Sequence, residues 1–300
     1  MPAANPAIAD APIVMRTTGW DDYALLDSGH GRKLERYGHL TVVRPEPQCL
    51  WAPRRGQGDW AGADATFDPN GEEDAGRWRS PLPLPDKFLL AWQDVRFWGR
   101  FTPFRHLAFF PEQQANWAII DAEARAAPGL KLLNLFGYTG VASLVAAAAG
   151  ATVTHVDASK KSVAWARENA ELSGLSDRPI RWIVEDARKY VQREVRRGSK
   201  YDGIILDPPK YGRGPGGEVW RLFEDLPELV GQCVELLSDE ARFLVLNVYA
   251  ERISGLAVAG LLADRMAGRG GRIDWGELAL MEEGGERGVG LSFFARWQGA

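Results

Sequence analysis

Cysteine is nearly absent. Only Cys49 and Cys233 occur in 300 residues, too few and too far apart for a disulfide framework or a cysteine metal cluster. Long hydrophobic runs are missing too. No stretch approaches the roughly 20 apolar residues that cross a bilayer; the nearest, Val141 to Ala149, is built of small residues and bounded by glycines. Met1 to Val14 lacks a basic start and a long apolar core, so no secretory signal is expected. Basic residues are not in excess. A formal net charge of −4 argues against a protein whose main task is coating nucleic acid, but not against an enzyme that visits it through a local patch. These absences together predict a reduced, cytoplasmic protein with no membrane segment and no metal. What is present is 45% apolar residues, enough for a full core in one large domain or two ordinary ones.

The chain changes character near residue 110. Before it, short alternating runs bounded by turn residues read as strands: Tyr23 to Asp27, Arg32 to Arg36 and Leu40 to Arg44, with a hairpin loop at Ser28 to Gly31, then Phe88 to Trp92 and Val95 to Phe101. Residues 53–85, rich in Gly, Pro and acid (Glu72, Glu73, Asp74), are expected to form a long exposed loop. Seven of the twelve tryptophans lie in residues 1–117, either as a base-stacking or substrate-gripping surface or, the favoured reading, as the large side chains a small β domain needs for its core. After this point helices and strands alternate. Strands are predicted over 131–136, 152–156, 180–184, 203–206, 242–248, 272–280 and 290–297, with helices between them, including 186–197, 218–237 and 251–268. Such alternation gives a parallel sheet covered on both faces. The domains predicted are 1–105, β-rich, and 106–300, α/β.

Two features mark a ligand site. The strand Leu132 to Leu135 runs into Phe136-Gly137-Tyr138-Thr139-Gly140, whose glycines let backbone approach a ligand closely. Position 135 is leucine where a dinucleotide fingerprint needs glycine, which disfavours a pyrophosphate-gripping turn and a dehydrogenase. Asp157, Asp186 and Asp207 each follow a predicted strand, so three acids fringe one sheet edge. An acid after the second strand can accept from both hydroxyls of a ribose, and one after the third from an adenine amine. Each alone is better explained as a helix N-cap.

The run Leu132 to Lys210 resembles an S-adenosylmethionine-dependent methyltransferase of the Rossmann-like class. Within it, Asn134 to Gly140, His155 to Ser159, Arg167 to Ala170 and Asp207-Pro208-Pro209-Lys210-Tyr211 are similar to the 23S rRNA methyltransferases acting on cytosine carbon-5 and their relatives. The resemblance implies a seven-stranded Rossmann-like methyltransferase sheet with S-adenosyl-L-methionine as cofactor. It also implies that Asn134, Phe136, Gly137, Tyr138, Thr139 and Gly140 line the methionine part, Asp157, Ala158 and Ser159 the ribose end, and Asp186 with Ala187 the adenine. An entry segment, Phe110 to Trp117, brings Gln113 and Asn116 to the cofactor, although the family's arginine there is replaced by Gln114 or its neighbour. Asp207, Pro208, Pro209, Lys210 and Tyr211 form the reaction loop.

Methyl transfer from a sulfonium needs mainly alignment of donor and acceptor. Two prolines supply no amide donor and leave carbonyls to accept from a substrate, while Tyr211 offers a stacking face worth about 1–3 kcal/mol. Methylation at cytosine carbon-5 needs a cysteine adduct, yet Val248 stands where the resembling family has its thiol. A base acceptor reached without an adduct is therefore expected, with Asn247 and Tyr249 as further substrate contacts. RNA, ribosomal RNA above all, is the expected partner. The competing readings are a methyltransferase for a small molecule or protein, favoured by the acidic charge, and a cofactor-binding module without catalysis. The cations of residues 186–200 read as a solvated helix face; Arg96, Arg100, Arg105 and His106 are better placed for phosphate. Gly212 to Gly217 reads as a mobile lid. A homodimer is compatible with all of these.

Overall fold

Strands that are apolar along their whole length set the architecture of the second half of the chain. The computed structural model describes residues 4–71, 75–249, 252–285 and 287–299. Seven strands, β1 (Lys131–Leu135), β2 (Thr152–Asp157), β3 (Ile180–Val184), β4 (Gly203–Leu206), β5 (Phe243–Val248), β6 (Arg272–Met281) and β7 (Gly288–Gln298), lie in the order β6-β7-β5-β4-β1-β2-β3. β3, β2, β1, β4 and β5 pair in parallel, and β7 runs antiparallel to β5. Parallel neighbours need long crossovers, which the helices Val141–Ala148, Lys160–Leu172, Ala187–Arg197 and Leu222–Glu235 supply. Every residue of β4 and β5 is buried, as a sheet covered on both faces requires. Gly203 fixes that register, because a Cβ there would lie 2.5 Å from the Phe243 ring.

The sheet has nine strands, not the expected seven. Ala7–Ile8 and Ile13–Thr17 both pair with β6. The first is two residues long and the second mixes exposed and buried positions, so neither carries the alternation that identifies a strand. Gly276 permits the second pairing, since a Cβ there would fall 1.8 Å from the Ile13 carbonyl oxygen.

Two units emerge: Met1–Met15 with Asn116–Leu278 and Leu291–Ala300, and Arg16–Ala115 with Ala279–Gly290. The second holds a five-stranded sheet, Tyr23–Gly29, Arg32–Tyr37, Leu40–Pro45, Ala65–Pro69 and Gly76–Arg79, and the hairpin Phe88–Trp92/Val95–Gly99. The expected loop over 53–85 therefore contains a short helix, Gln57–Ala61, and two strands. Trp60, Phe67 and Trp78 explain the difference: the first two are buried and the last two pack edge to face at 5.2 Å, a local apolar gain that outweighs the loop-forming composition. Glu72, Glu73 and Asp74 lie outside the described residues. Trp20, Tyr23, Tyr37, Phe97 and Phe109 form one aromatic core, so these rings of the unit are structural.

At the centre of that unit Glu35 is fully buried and accepts two bonds from Arg44, Nε to Oε2 and Nη2 to Oε1, each 2.7 Å. The Tyr23 and Tyr37 hydroxyls donate to the same carboxylate at 2.9 and 3.0 Å. Burial alone would raise the Glu35 pKa, but the Arg44 and Lys33 charges prevail and hold it at about 2.

Candidate functional site

Parallel strands bring their C-terminal ends to one edge, where open α/β sheets bind ligands. The strand order places Asp186 (after β3), Asp157 (ending β2), the turn after β1 and Asp207 (after β4) side by side along that edge. At about 4.8 Å per strand the array spans roughly 14 Å. Four sequence features thus become one row.

The turn after β1 is tightly wound. Phe136, Tyr138 and Gly140 have φ of 57°, 48° and 85°, left-handed values that cost a non-glycine residue about 1–3 kcal/mol. Two close approaches hold it there. A Cβ on Gly137 would meet His155 Nδ1 and Cε1 at 2.5 Å, and one on Gly140 would meet the Ala166 Cβ at 2.8 Å. Asp157 accepts from the Tyr138 amide through Oδ2 at 2.9 Å and from the Ser159 amide through Oδ1 at 2.8 Å. Each carboxylate oxygen retains a second lone pair, which fits the two hydroxyls of a ribose. Burial pushes the Asp157 carboxyl above its ordinary value, against the two amides that favour its charge.

Asn134 and His155 lie beneath the turn. Asn134 Nδ2 donates to Ser143 Oγ at 2.9 Å, and Ser143 Oγ lies 3.0 Å from His155 Nδ1. Burial drives the His155 pKa down to about 3, so the ring is neutral and acts as a packed support. Thr139 is buried and its carbonyl accepts from Asn169 Nδ2 at 3.0 Å. Ser159 caps the helix that follows, its Oγ accepting from the Ser162 amide at 3.1 Å; Ala158 lies between Asp157 and this cap.

Asp186 is both cap and candidate ligand. Its Oδ1 accepts from the Arg188 and Lys189 amides at 3.0 and 3.2 Å and lies 3.5 Å from Arg188 Nε. Among the described residues all three contacts fall on Oδ1, which leaves Oδ2 for an amine donor. Ala187, buried, opens the capped helix. The acceptors of the row, two carboxylates with oxygens left to bond beside a backbone cradle that a side chain would fill, are of the kind an adenosine requires.

Asp207 follows β4 at intermediate exposure, Pro208 is buried, and Pro209 and Lys210 are exposed. The lid expected over Gly212 to Gly217 is instead the tip of a β-hairpin, Tyr211–Arg213 with Val219–Arg221. The helix expected from 218 accordingly starts at Leu222. One residue missed in the sequence explains both differences. Trp220 is buried, donates from Nε1 to the Pro209 carbonyl at 2.7 Å and packs on Phe136 with ring centroids 5.1 Å apart. That bond occupies one of the carbonyls expected to serve the substrate.

Asn116 donates to Asn247 Oδ1 at 3.1 Å, and both are buried. Gln113, also buried, ends the 3₁₀ turn Pro111–Gln113 and belongs to the β-rich unit, as do Arg96, Arg100, Arg105 and His106. Val248 is buried in β5 opposite Phe293. Both thiols are buried, and burial pushes Cys49 to about 11 and Cys233 higher still. The basic helix is largely neutralised: Arg188 pairs with Asp225, Lys189 with Glu218, Arg193 with Glu185 and Arg197 with Glu194. Among the described residues no helix is long and apolar enough to cross a membrane, and no metal-ligating cluster occurs.

Comparison with known proteins shows what the chain resembles. Residues 113–225 match the family model described as conserved hypothetical protein 95. A ribosomal RNA large subunit methyltransferase K/L from Shewanella frigidimarina is 36% identical over 155 residues, 51% of this chain and 21% of that protein. A ribosomal RNA large subunit methyltransferase I from Aeromonas hydrophila is 33% identical over 126 residues, 42% of this chain and 28% of that protein. The chain thus spans about a fifth to a quarter of the length of these curated relatives. The crystal structure of a SAM-dependent methyltransferase from Agrobacterium tumefaciens is similar throughout, with 48% identity, a TM-score of 0.95, and coverage of 99% of this chain and 96% of that one. On that full-length likeness, with the acid-fringed edge and glycine turn in place, the chain belongs to the S-adenosylmethionine-dependent methyltransferases.

Proposed function

We propose that this enzyme methylates a base of RNA, with ribosomal RNA favoured, by direct displacement and without a cysteine adduct. The observation that carries the reading is the row Asp186, Asp157, glycine turn, Asp207 on adjacent strands, combined with the burial of both thiols. The names of the partial relatives, ribosomal RNA large subunit methyltransferases, support RNA as the substrate class.

Asp186 accepts the adenine amine, Asp157 the ribose hydroxyls, and the backbone of 136–140, shaped from below by Asn134, takes the methionine end. Bound there, S-adenosylmethionine supplies a methyl group already activated by its sulfonium. The remaining task is alignment, which well-oriented reactants reward with about 7–11 kcal/mol of barrier. Asp207 and the Pro208 carbonyl orient an exocyclic or ring nitrogen, and Tyr211, half exposed, stacks on the base. Asn116 completes the cofactor end. The substrate class places the enzyme in the cytoplasm. The β-rich unit, expected over 1–105 but formed by Arg16–Ala115 with Ala279–Gly290, serves as an accessory to the methyltransferase unit.

The test is mass-spectrometric mapping of methylated nucleosides in total RNA from cells with and without the protein. One methylated base should vanish in its absence and return with the wild type but not with Asp207→Ala, whose cofactor affinity should stay within a few-fold. An unchanged nucleoside profile would refute RNA as substrate and favour the small-molecule or protein reading, to which the net charge of −4 also points.

A further inference from the structure

The reaction loop leads straight into an exposed hairpin whose two faces differ in chemistry. Directly opposed residues of an antiparallel pair share a face. Here Tyr211 faces Arg221, Gly212 faces Trp220, and Arg213 faces Val219. The inner face is Gly212 and Trp220. The outer face carries Tyr211 and Val219, 52% and 36% exposed, each opposite an exposed arginine. An aromatic and a branched apolar side chain on the solvent side of a two-stranded ribbon do nothing for its core.

The inner face fixes where the outer one stands. Trp220 is bonded to the Pro209 carbonyl and packed on Phe136 of the cofactor turn. Arg188 Nη2 donates to the Val219 carbonyl at 2.8 Å, and the same guanidinium lies against Asp186. The tip is closed by Glu218, whose Oε2 accepts from the Gly216 amide at 2.8 Å and whose Oε1 pairs with Lys189. The hairpin is thus tied to both halves of the catalytic row, and its outer face begins four residues beyond Asp207.

We propose that this outer face seats the acceptor nucleotide on Tyr211 and the single-stranded RNA that flanks it along Arg213, Val219 and Arg221. The proposal rests on RNA being the substrate. Unpaired bases stack on aromatic faces while cations follow the backbone, and the ladder alternates these two chemistries. Arg213 Nε is held 3.3 Å from the Tyr211 hydroxyl, which keeps cation and ring together. Arg221 lies 3.2 Å from Glu224 with both side chains more than half exposed. Such a surface pair is weak, and a phosphate can displace it. Glu218, the one acid within the hairpin, is occupied by Lys189, so the face is positive. A duplex would offer no free base faces to Tyr211.

Binding of a fluorescein-labelled short single-stranded RNA of mixed sequence, read by anisotropy at low and raised salt, tests this. The wild type should bind with a salt-dependent affinity. Arg213→Glu/Arg221→Glu should bind at least tenfold more weakly and with a shallower salt slope, and Arg213→Gln/Arg221→Gln should lie between. All three should gain the same thermal shift from S-adenosylmethionine, which shows that the fold and cofactor site persist. A wild type that binds RNA with an affinity these variants match overturns the inference and leaves RNA as substrate standing. Equal sensitivity of duplex binding overturns the claim for a single strand. A wild type that binds no RNA and leaves the nucleoside profile unchanged removes the substrate assignment itself, and this inference with it.

Discussion

Replacing Gly137 by alanine tests the cradle most directly. The added Cβ would lie 2.5 Å from two atoms of the His155 ring, where unstrained carbon contacts need about 3.5–4.0 Å. Something must move by roughly 1 Å. The ring resists, because Nδ1 is 3.0 Å from Ser143 Oγ and the ring meets Trp182 edge-on at 4.9 Å. The turn moves instead. Overpacking of this kind costs about 1–3 kcal/mol, and displacing the Tyr138 amide from Asp157 costs about 1.5–3 kcal/mol more. Titration calorimetry with S-adenosylmethionine should show a Kd about 10–100-fold weaker, and the melting temperature should fall by several degrees. Adding His155→Ala makes room for the methyl group. The double variant should therefore bind more tightly than the two single losses predict, with a coupling of about 1 kcal/mol or more. If Gly137→Ala binds the cofactor like the wild type and melts at the same temperature, the cradle does not hold it.

Three further outcomes are expected. Asp157 must be ionised to accept a ribose hydroxyl on each oxygen, and burial raises its pKa, so cofactor affinity should fall on acidification starting above the usual carboxylate range; Asp157→Asn should bind weakly at every pH, and calorimetry across pH reads both. Glu35→Gln leaves the buried Arg44 without its counter-charge and should destabilise the protein by about 3–5 kcal/mol in urea melts. Since the folded Glu35 pKa is lowered to about 2, its stabilisation is complete above the unfolded value and is lost as pH falls through the folded one. Alkylating the native enzyme with iodoacetamide should leave methyl transfer unchanged, because both thiols are buried and protonated; inactivation with modification at Cys49 or Cys233 would restore an adduct mechanism.

The alternating helices and strands from residue 131 onward, the acids at three of the strand ends and the glycine turn were legible in the amino-acid order alone. Each is a local signal: a fully apolar run of four to six residues, a cap one or two residues beyond it, a turn that tolerates no side chain. What only the tertiary structure decided was non-local. Pairing of Ile13–Thr17 with β6 depends on Gly276, some 260 residues away in sequence. The folding of 53–85 depends on rings packing across strands. The hairpin at 211–221 exists because Trp220 finds Phe136 and the Pro209 carbonyl together, and no pattern within residues 212–221 announces a partner supplied by another strand end. Periodicity reports which face of an element is buried; what that face meets is settled only when the chain closes on itself.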